Sequence, residues 1–378
     1  MNLARSSTIL FLARFVRTGL GVLVSVLIAR WLGPTGQGVY AIVVATMSLL
    51  VVFGELGIKN ANVYLIGRKG HSISQVATNS LTVGLTVGIG LAVGALGLFA
   101  ANPNLLGVVS IRTMGFGLLA IPGGIIILYF ANILLARQRI LQYSVVPIIR
   151  HSIHLLSLFV LVHFLETGVG GAVLTLPIAY SVTSLVVVYW VWRISPFRLG
   201  YNMHWLREAV GYSVKIYVTH VLRFLGSRID LLIIYSFVGV TSVGYYAVAT
   251  TLTAMIAEIP QVANTISFQS VATSDNESAR RITPQLCRMT LLVIALTAVP
   301  VFLVSRPIVL VLYGRDYLPA ILPFAILLIG TVPNGLGKVL HGDVAGRGRP
   351  ELAILAAAVA LVARVLFGFL LIPRLSIV

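Results

Sequence analysis

The chain has 378 residues, 58% hydrophobic and only 10% charged, with a mean hydropathy of +1.00; that excludes a water-soluble globular domain, in which about a quarter of residues carry charge. The single cysteine, Cys287, excludes an internal disulfide and any cysteine-based metal cluster, and none of the seven histidines has metal-ligand spacing, so neither a metal nor another cofactor is expected. The formal net charge is +17, but the basic residues are scattered over six connections instead of being gathered on one module, which argues against nucleic acid as a partner.

Apolar runs of about 20 residues, each long enough to cross a bilayer as a helix and too long for a barrel strand, predict an all-α polytopic membrane protein. In chain order the eleven predicted spans are 8–31, 39–65, 79–100, 113–135, 144–164, 169–192, 209–238, 241–270, 288–313, 318–340 and 350–373. The first begins at Ile9 with only Arg5 before it and shows no small-residue cleavage site, so it is read as a retained helix. One set of alternate connections holds thirteen basic residues; the other holds four, namely Arg30, Arg112, Arg315 and Arg374. This asymmetry predicts a cytoplasmic amino terminus.

A gapless shift of 206 residues carries Gly33, Thr35, Gly38, Tyr40 and Ala41 onto Gly239, Thr241, Gly244, Tyr246 and Ala247. Six spans would then form one unit, giving two six-helix-type lobes of like orientation related by a pseudo-two-fold axis about a central cationic cavity. The expected organisation is an N-terminal lobe at 1–192, a cytoplasmic linker at 193–208 and a C-terminal lobe at 209–378. The same shift moves the sixth span to 375–398, so a twelfth span is expected past Val378, where the sequence ends.

Charges inside spans are costly, about 3 kcal/mol each at a helix centre on the most lenient scale, and normally face a cavity or a partner. Basic side chains lie within the predicted spans, among them Arg14, Arg17, Lys59, Arg150, Lys215, Arg223, Arg228 and Arg364. The acids beside them include Glu55, Asp230 and Glu258. In the seventh span Lys215, Thr219, Arg223, Gly226 and Asp230 form one helical stripe. The repeat also carries Arg17 onto Arg223, so these two are expected to face each other across the cavity, with Lys215 and Arg14 on its cytoplasmic side and Arg364 closing it. A surplus of bases implies an anionic ligand, and phosphate or pyrophosphate fits the bidentate fork of arginine. Glu55 and Lys59 are four apart and suit either a local ion pair or a functional role. Glu258 has no base at helical-neighbour spacing and precedes Pro260, which makes it the better candidate for coupling to a proton or sodium ion. His151 and His154 are read as packing or polar-wall residues.

The run Ala29-Arg30-Trp31-Leu32-Gly33-Pro34-Thr35-Gly36-Gln37-Gly38-Val39-Tyr40-Ala41 resembles a turn of the bacterial oligosaccharide and polysaccharide (O-antigen type) flippases, members of the multidrug/oligosaccharidyl-lipid/polysaccharide (MOP) exporter superfamily. Arg228-Ile229-Asp230, Val243-Gly244-Tyr245-Tyr246-Ala247 and Leu312-Tyr313-Gly314-Arg315-Asp316-Tyr317 are similar to second-lobe patterns of the same family. The resemblance implies a carrier, not an enzyme. It would move a polyprenyl-pyrophosphate-linked oligosaccharide across the bacterial inner membrane by alternating access, among membrane lipid and alongside polysaccharide-assembly proteins. The rivals are a drug/cation antiporter of the same superfamily, disfavoured by the basic spans, and a membrane polymerase or ligase, disfavoured by the lack of a large loop. A scaffold role is weaker still.

Overall fold

A computed structural model describes residues 3–105, 107–273, 276–346 and 350–375. Among the described residues the elements are helical throughout, and nine helices are long and apolar enough to cross a membrane. The protein is thus an all-α polytopic membrane protein. Of the basic residues behind the orientation argument, the side chains of Arg5, Arg280, Arg281 and Arg374, and Arg347 and Arg349 altogether, lie outside the described set.

The nine differ from eleven for physical reasons. Helix α1 (Leu3–Gly54) holds two predicted spans joined across a kink at Gly33, whose φ of 67° suits a residue without a Cβ. Helix α8 (Met203–Phe237) falls outside the nine because Lys215, His220, Arg223, Arg228 and Asp230 interrupt its apolar character. The second predicted span also proves discontinuous. It stops at Gly54 and resumes as α2 (Ile58–Gly67), with left-handed backbone at Leu56 and Gly57 between.

By internal packing the chain divides into two compact units, the first ending at Leu32 and resuming over Val39–Phe224, the second comprising Gly33–Gly38 and the chain from Leu225 onward. In the first unit α3 (Ile73–Ala101), α4 (Ile111–Leu118), α5 (Ile121–Ala136), α6 (Ile140–Leu158) and α7 (Gly168–Ile194) follow α2. The buried centre is α5, packed by α2, α3, α6 and α7 and apolar on nearly every face. Where polar groups are buried they join helices: Asn62 donates to Ser80 Oγ at 3.0 Å and to the Tyr129 carbonyl at 3.3 Å. The segment 195–202 between α7 and α8 is strapped to α3, with Asn202 N donating to Asn79 Oδ1 at 2.7 Å and Gly200 N to Thr82 Oγ1 at 3.1 Å. Asn202 in turn caps the start of α8 by accepting from Trp205 N at 3.1 Å.

In the second unit α9 (Val240–Thr273) packs along α12 (Ile321–Gly346), with α10 (Asn276–Leu303) against both. Helices α11 (Ser305–Leu312) and α13 (Pro350–Leu375) complete it. The segment Gly33–Gly38 meets the start of α9 here. Thr35 Oγ1 lies 3.0 Å from Thr241 Oγ1. A Cβ on Gly38 would strike the carbonyl oxygen of Val240, and a Cβ on Gly244 that of Pro34. Under the 206-residue shift Thr35 maps to Thr241, Pro34 to Val240 and Gly38 to Gly244. The contacts are therefore reciprocal, as in an isologous two-fold interface. Gly239, which matches Gly33, also has positive φ, 102° against 67°. The repeat read from sequence is real at these turns.

Candidate translocation site

The break in the second span builds the most elaborate polar site of the first unit. A helix that stops inside a membrane leaves carbonyls that need donors. Tyrosines supply them: Tyr217 donates to the Phe53 carbonyl at 2.8 Å, and Tyr129 reaches the carbonyls of Gly54 and Glu55, each at 3.1 Å. Glu55 sits in the break, fully buried, and two basic side chains converge on it. Lys59 Nζ is 2.7 Å from Oε2, and His220 Nδ1 is 2.8 Å from Oε1. Lys59 Nζ is also 3.3 Å from His220 Nδ1, so the three groups close a triangle. Oε2 is buried and accepts no directed hydrogen bond, so at 2.7 Å the Lys59 contact is ionic in character. The local ion pair open to Glu55 from its spacing is present, and His220 of α8 joins it.

A second polar set lies on α1, α6 and α7 of the same unit. Arg150 donates to the Tyr180 hydroxyl at 3.2 Å with its guanidinium 4.9 Å from that ring's centre. His151 Nδ1 bonds the Pro147 carbonyl at 2.8 Å, and His154 Nε2 bonds the Tyr40 hydroxyl at 3.2 Å. Arg17 is near enough to His151 to act on it electrostatically. His154 is buried. Arg14 and Arg17 are half-buried, while Lys215 and Arg223 are exposed on α8, where Thr219 bonds back to the Lys215 carbonyl at 3.0 Å. Thus Arg14, Arg17, Lys215 and Arg223 all belong to the first unit.

Arg364 belongs to the second unit, where it is engaged locally. Its Nη1 donates to the Gly226 carbonyl and lies 3.8 Å from Asp230 Oδ2, which also accepts from the Tyr246 hydroxyl at 2.9 Å. Glu258 is half-buried on α9, two residues before Pro260. Lys338 of α12 donates to the carbonyl of Ala257 on α9 at 3.1 Å.

Sequence reasoning overlooked His220, Tyr217 and Lys338. His220 lies beside the stripe on α8, three residues before Arg223, a signal that spacing offered. Lys338 reaches the Ala257 carbonyl only through the packing of α9 on α12, which no helical-neighbour rule can see.

Residues 27–322 match a family described as polysaccharide biosynthesis protein. No curated protein matches the chain in sequence. Among solved structures the fold is similar to the lipid II flippase MurJ in an inward closed conformation, at TM-score 0.84 and 14% identity over 97% of this chain and 82% of that one. It is also similar to a multidrug resistance MATE family transporter of the MOP superfamily in an inward-facing conformation, at TM-score 0.74 and 13% identity over 94% of each chain. A MOP superfamily transporter from Pyrococcus furiosus, described as having a binding pocket of reverse polarity, matches at TM-score 0.58 and 14% identity over 97% of this chain and 94% of that one. At these identities the likeness is one of fold, and the sequence match supplies the lineage: this chain, an all-helical membrane protein with a MurJ- and MATE-like fold, belongs to the polysaccharide biosynthesis protein family.

Proposed function

We propose that this protein is a flippase that moves a polyprenyl-pyrophosphate-linked oligosaccharide of the O-antigen type from the cytoplasmic to the outer leaflet of a bacterial inner membrane. The amino terminus is cytoplasmic, and transport proceeds by alternating access. The observation that carries the reading is the charge balance of the first unit. Its predicted spans bear seven basic side chains, Arg14, Arg17, Arg30, Lys59, Arg150, Lys215 and Arg223, against one carboxylate, Glu55, which Lys59 and His220 already engage. A cation carrier needs the opposite balance. A pyrophosphate offers several anionic oxygens to guanidinium forks, whose charge-assisted bonds are strongest where water is scarce.

Arg17 and Arg223 bind the pyrophosphate in this scheme, with Arg14 and Lys215 on its approach, and Arg364 is a further candidate contact. No covalent step is needed, since alternating access reorients a bound headgroup by shifting populations. Glu258 and Glu55 are the candidates for coupling to a proton or sodium ion.

The test is binding and flipping by purified protein in proteoliposomes. A short-chain polyprenyl-pyrophosphate glycan should bind saturably, be flipped, and be displaced by soluble pyrophosphate. Saturable transport of a cationic dye that the pyrophosphate lipid does not compete with would instead establish the drug/cation antiporter.

A further inference from the structure

Away from the span interiors, the ends of α5, α6 and α7 frame an open cavity of about 590 Å³, lined by Arg137, Arg139, Gln142, Tyr189, Trp190 and Arg193. The local sequence explains why the arginines converge. Helix α5 ends at Arg137, Gln138 takes a left-handed turn with φ of 56°, and Arg139 opens α6. That single turn residue places two guanidinium groups on either side of it, and Arg193 joins them from the last turn of α7. No carboxylate lines the cavity among the described residues.

The wall is also amphipathic in the manner of a membrane boundary. Tyr189 and Trp192 are exposed near the end of α7, and the Arg193 guanidinium stands 6.0 Å from the Tyr189 ring. Aromatic rings of this kind sit at headgroup level in a bilayer. Arg150 is eleven residues beyond Arg139, about 16 Å along α6, so this cluster is separate from the arginines of the span interior. One polar atom of the lining is unsatisfied: Gln142 Oε1 is buried without a hydrogen-bond partner. A carbonyl oxygen in that position calls for a donor from whatever fills the cavity.

We propose that this cavity is a binding site for the headgroup of an anionic phospholipid, with the phosphate held by Arg137, Arg139 and Arg193 and a headgroup hydroxyl donating to Gln142. Three guanidiniums match a phosphodiester's non-bridging oxygens. Basic pockets at the ends of membrane helices suit such headgroups. The unsatisfied Gln142 selects a glycerol headgroup, as in phosphatidylglycerol or cardiolipin, over phosphatidate, whose only hydroxyl is on the phosphate that the arginines hold. The site serves lipid and is distinct from the transported substrate's path.

The experiment measures lipid retention by native mass spectrometry, and thermal stabilisation, with the full-length protein in phosphatidylcholine vesicles. The vesicles are used alone, doped with phosphatidylglycerol, or doped with phosphatidate. The pocket variant R137Q/R139Q/R193Q is compared with R68Q/R198Q/R207Q, which removes the same charge from exposed positions elsewhere on the first unit. At about 1 kcal/mol per basic residue, losing three contacts predicts weakening of phosphatidylglycerol on the order of a hundredfold. The charge-matched variant should retain the lipid, and Gln142→Ala should narrow the preference for phosphatidylglycerol over phosphatidate. Should the triple variant fold poorly, Arg193→Gln alone should still weaken phosphatidylglycerol more than Arg198→Gln does. Equal retention by pocket and control variants overturns the proposal. So does loss of short-chain polyprenyl pyrophosphate binding in step with the phospholipid, because the cavity would then belong to the substrate path.

Discussion

Glu55 and His220 stand 165 residues apart in the chain, yet His220 Nδ1 is 2.8 Å from a carboxylate oxygen of Glu55. The pair ties the broken second span to α8 at a place where the carboxylate is fully buried. With Lys59 at 2.7 Å from the other oxygen, Glu55 holds two basic groups at once.

Glu55→Gln should therefore be strongly destabilising, because it leaves Lys59 mostly buried without its counter-charge. Breaking a buried pair from one side costs about 3 kcal/mol or more. The double variant Glu55→Gln/Lys59→Met should recover much of the loss. Thermal unfolding in detergent measures both, and a double variant as unstable as the sum of the singles would refute the pairing.

Gly38→Ala and Gly244→Ala should each lower stability by a similar amount, about 1–3 kcal/mol, since each new methyl strikes a backbone carbonyl of the opposite turn and backbone cannot swing aside. Gly90→Ala, in a helix with nothing within 4 Å of the added carbon, should be neutral or mildly stabilising. Melting temperatures of the three variants decide the matter.

Arg17→Ala and Arg223→Ala should each abolish surface glycan while leaving membrane insertion intact. Lysine at either place should restore only part of the activity, because a point charge cannot make a bidentate contact. Normal glycan at normal expression in both alanine variants would remove these residues from the site.

Arg364 can act on substrate or on Asp230, and the two roles separate. If its main service is to Asp230, Arg364→Gln should lose activity together with stability, and adding Asp230→Asn should restore both in part. If it binds pyrophosphate, activity should fall without a shift in melting, and Asp230→Asn should bring nothing back.

Glu258→Gln should make transport insensitive to an imposed proton or sodium gradient while leaving binding of the pyrophosphate lipid unchanged. Flipping that responds to the gradient as in the parent protein would exclude Glu258 as the coupling group.

Much of the architecture was legible because a membrane allows few solutions. Helix lengths, the turn at Gly33 and its copy at Gly239 follow from apolar run length and glycine placement. The discontinuity at 54–57 was not legible, since Gly54 and Gly57 sit in an otherwise apolar span and only the capture of its carbonyls by Tyr129 and Tyr217 makes a break tolerable there. Of the candidate site, the basic residues stood out by their cost in lipid. Their partners did not, because His220 reaches Glu55, and Arg364 reaches Gly226, across helices whose packing is set by side chains far from either.

The meeting of Pro34–Gly38 with Val240–Gly244 has a consequence for substitution. Each turn presses its glycine against the other's backbone, so neither turn can grow bulkier without the other giving way. A contact in which each residue meets its own counterpart has, inside one chain, the geometry that two like molecules adopt across a two-fold axis.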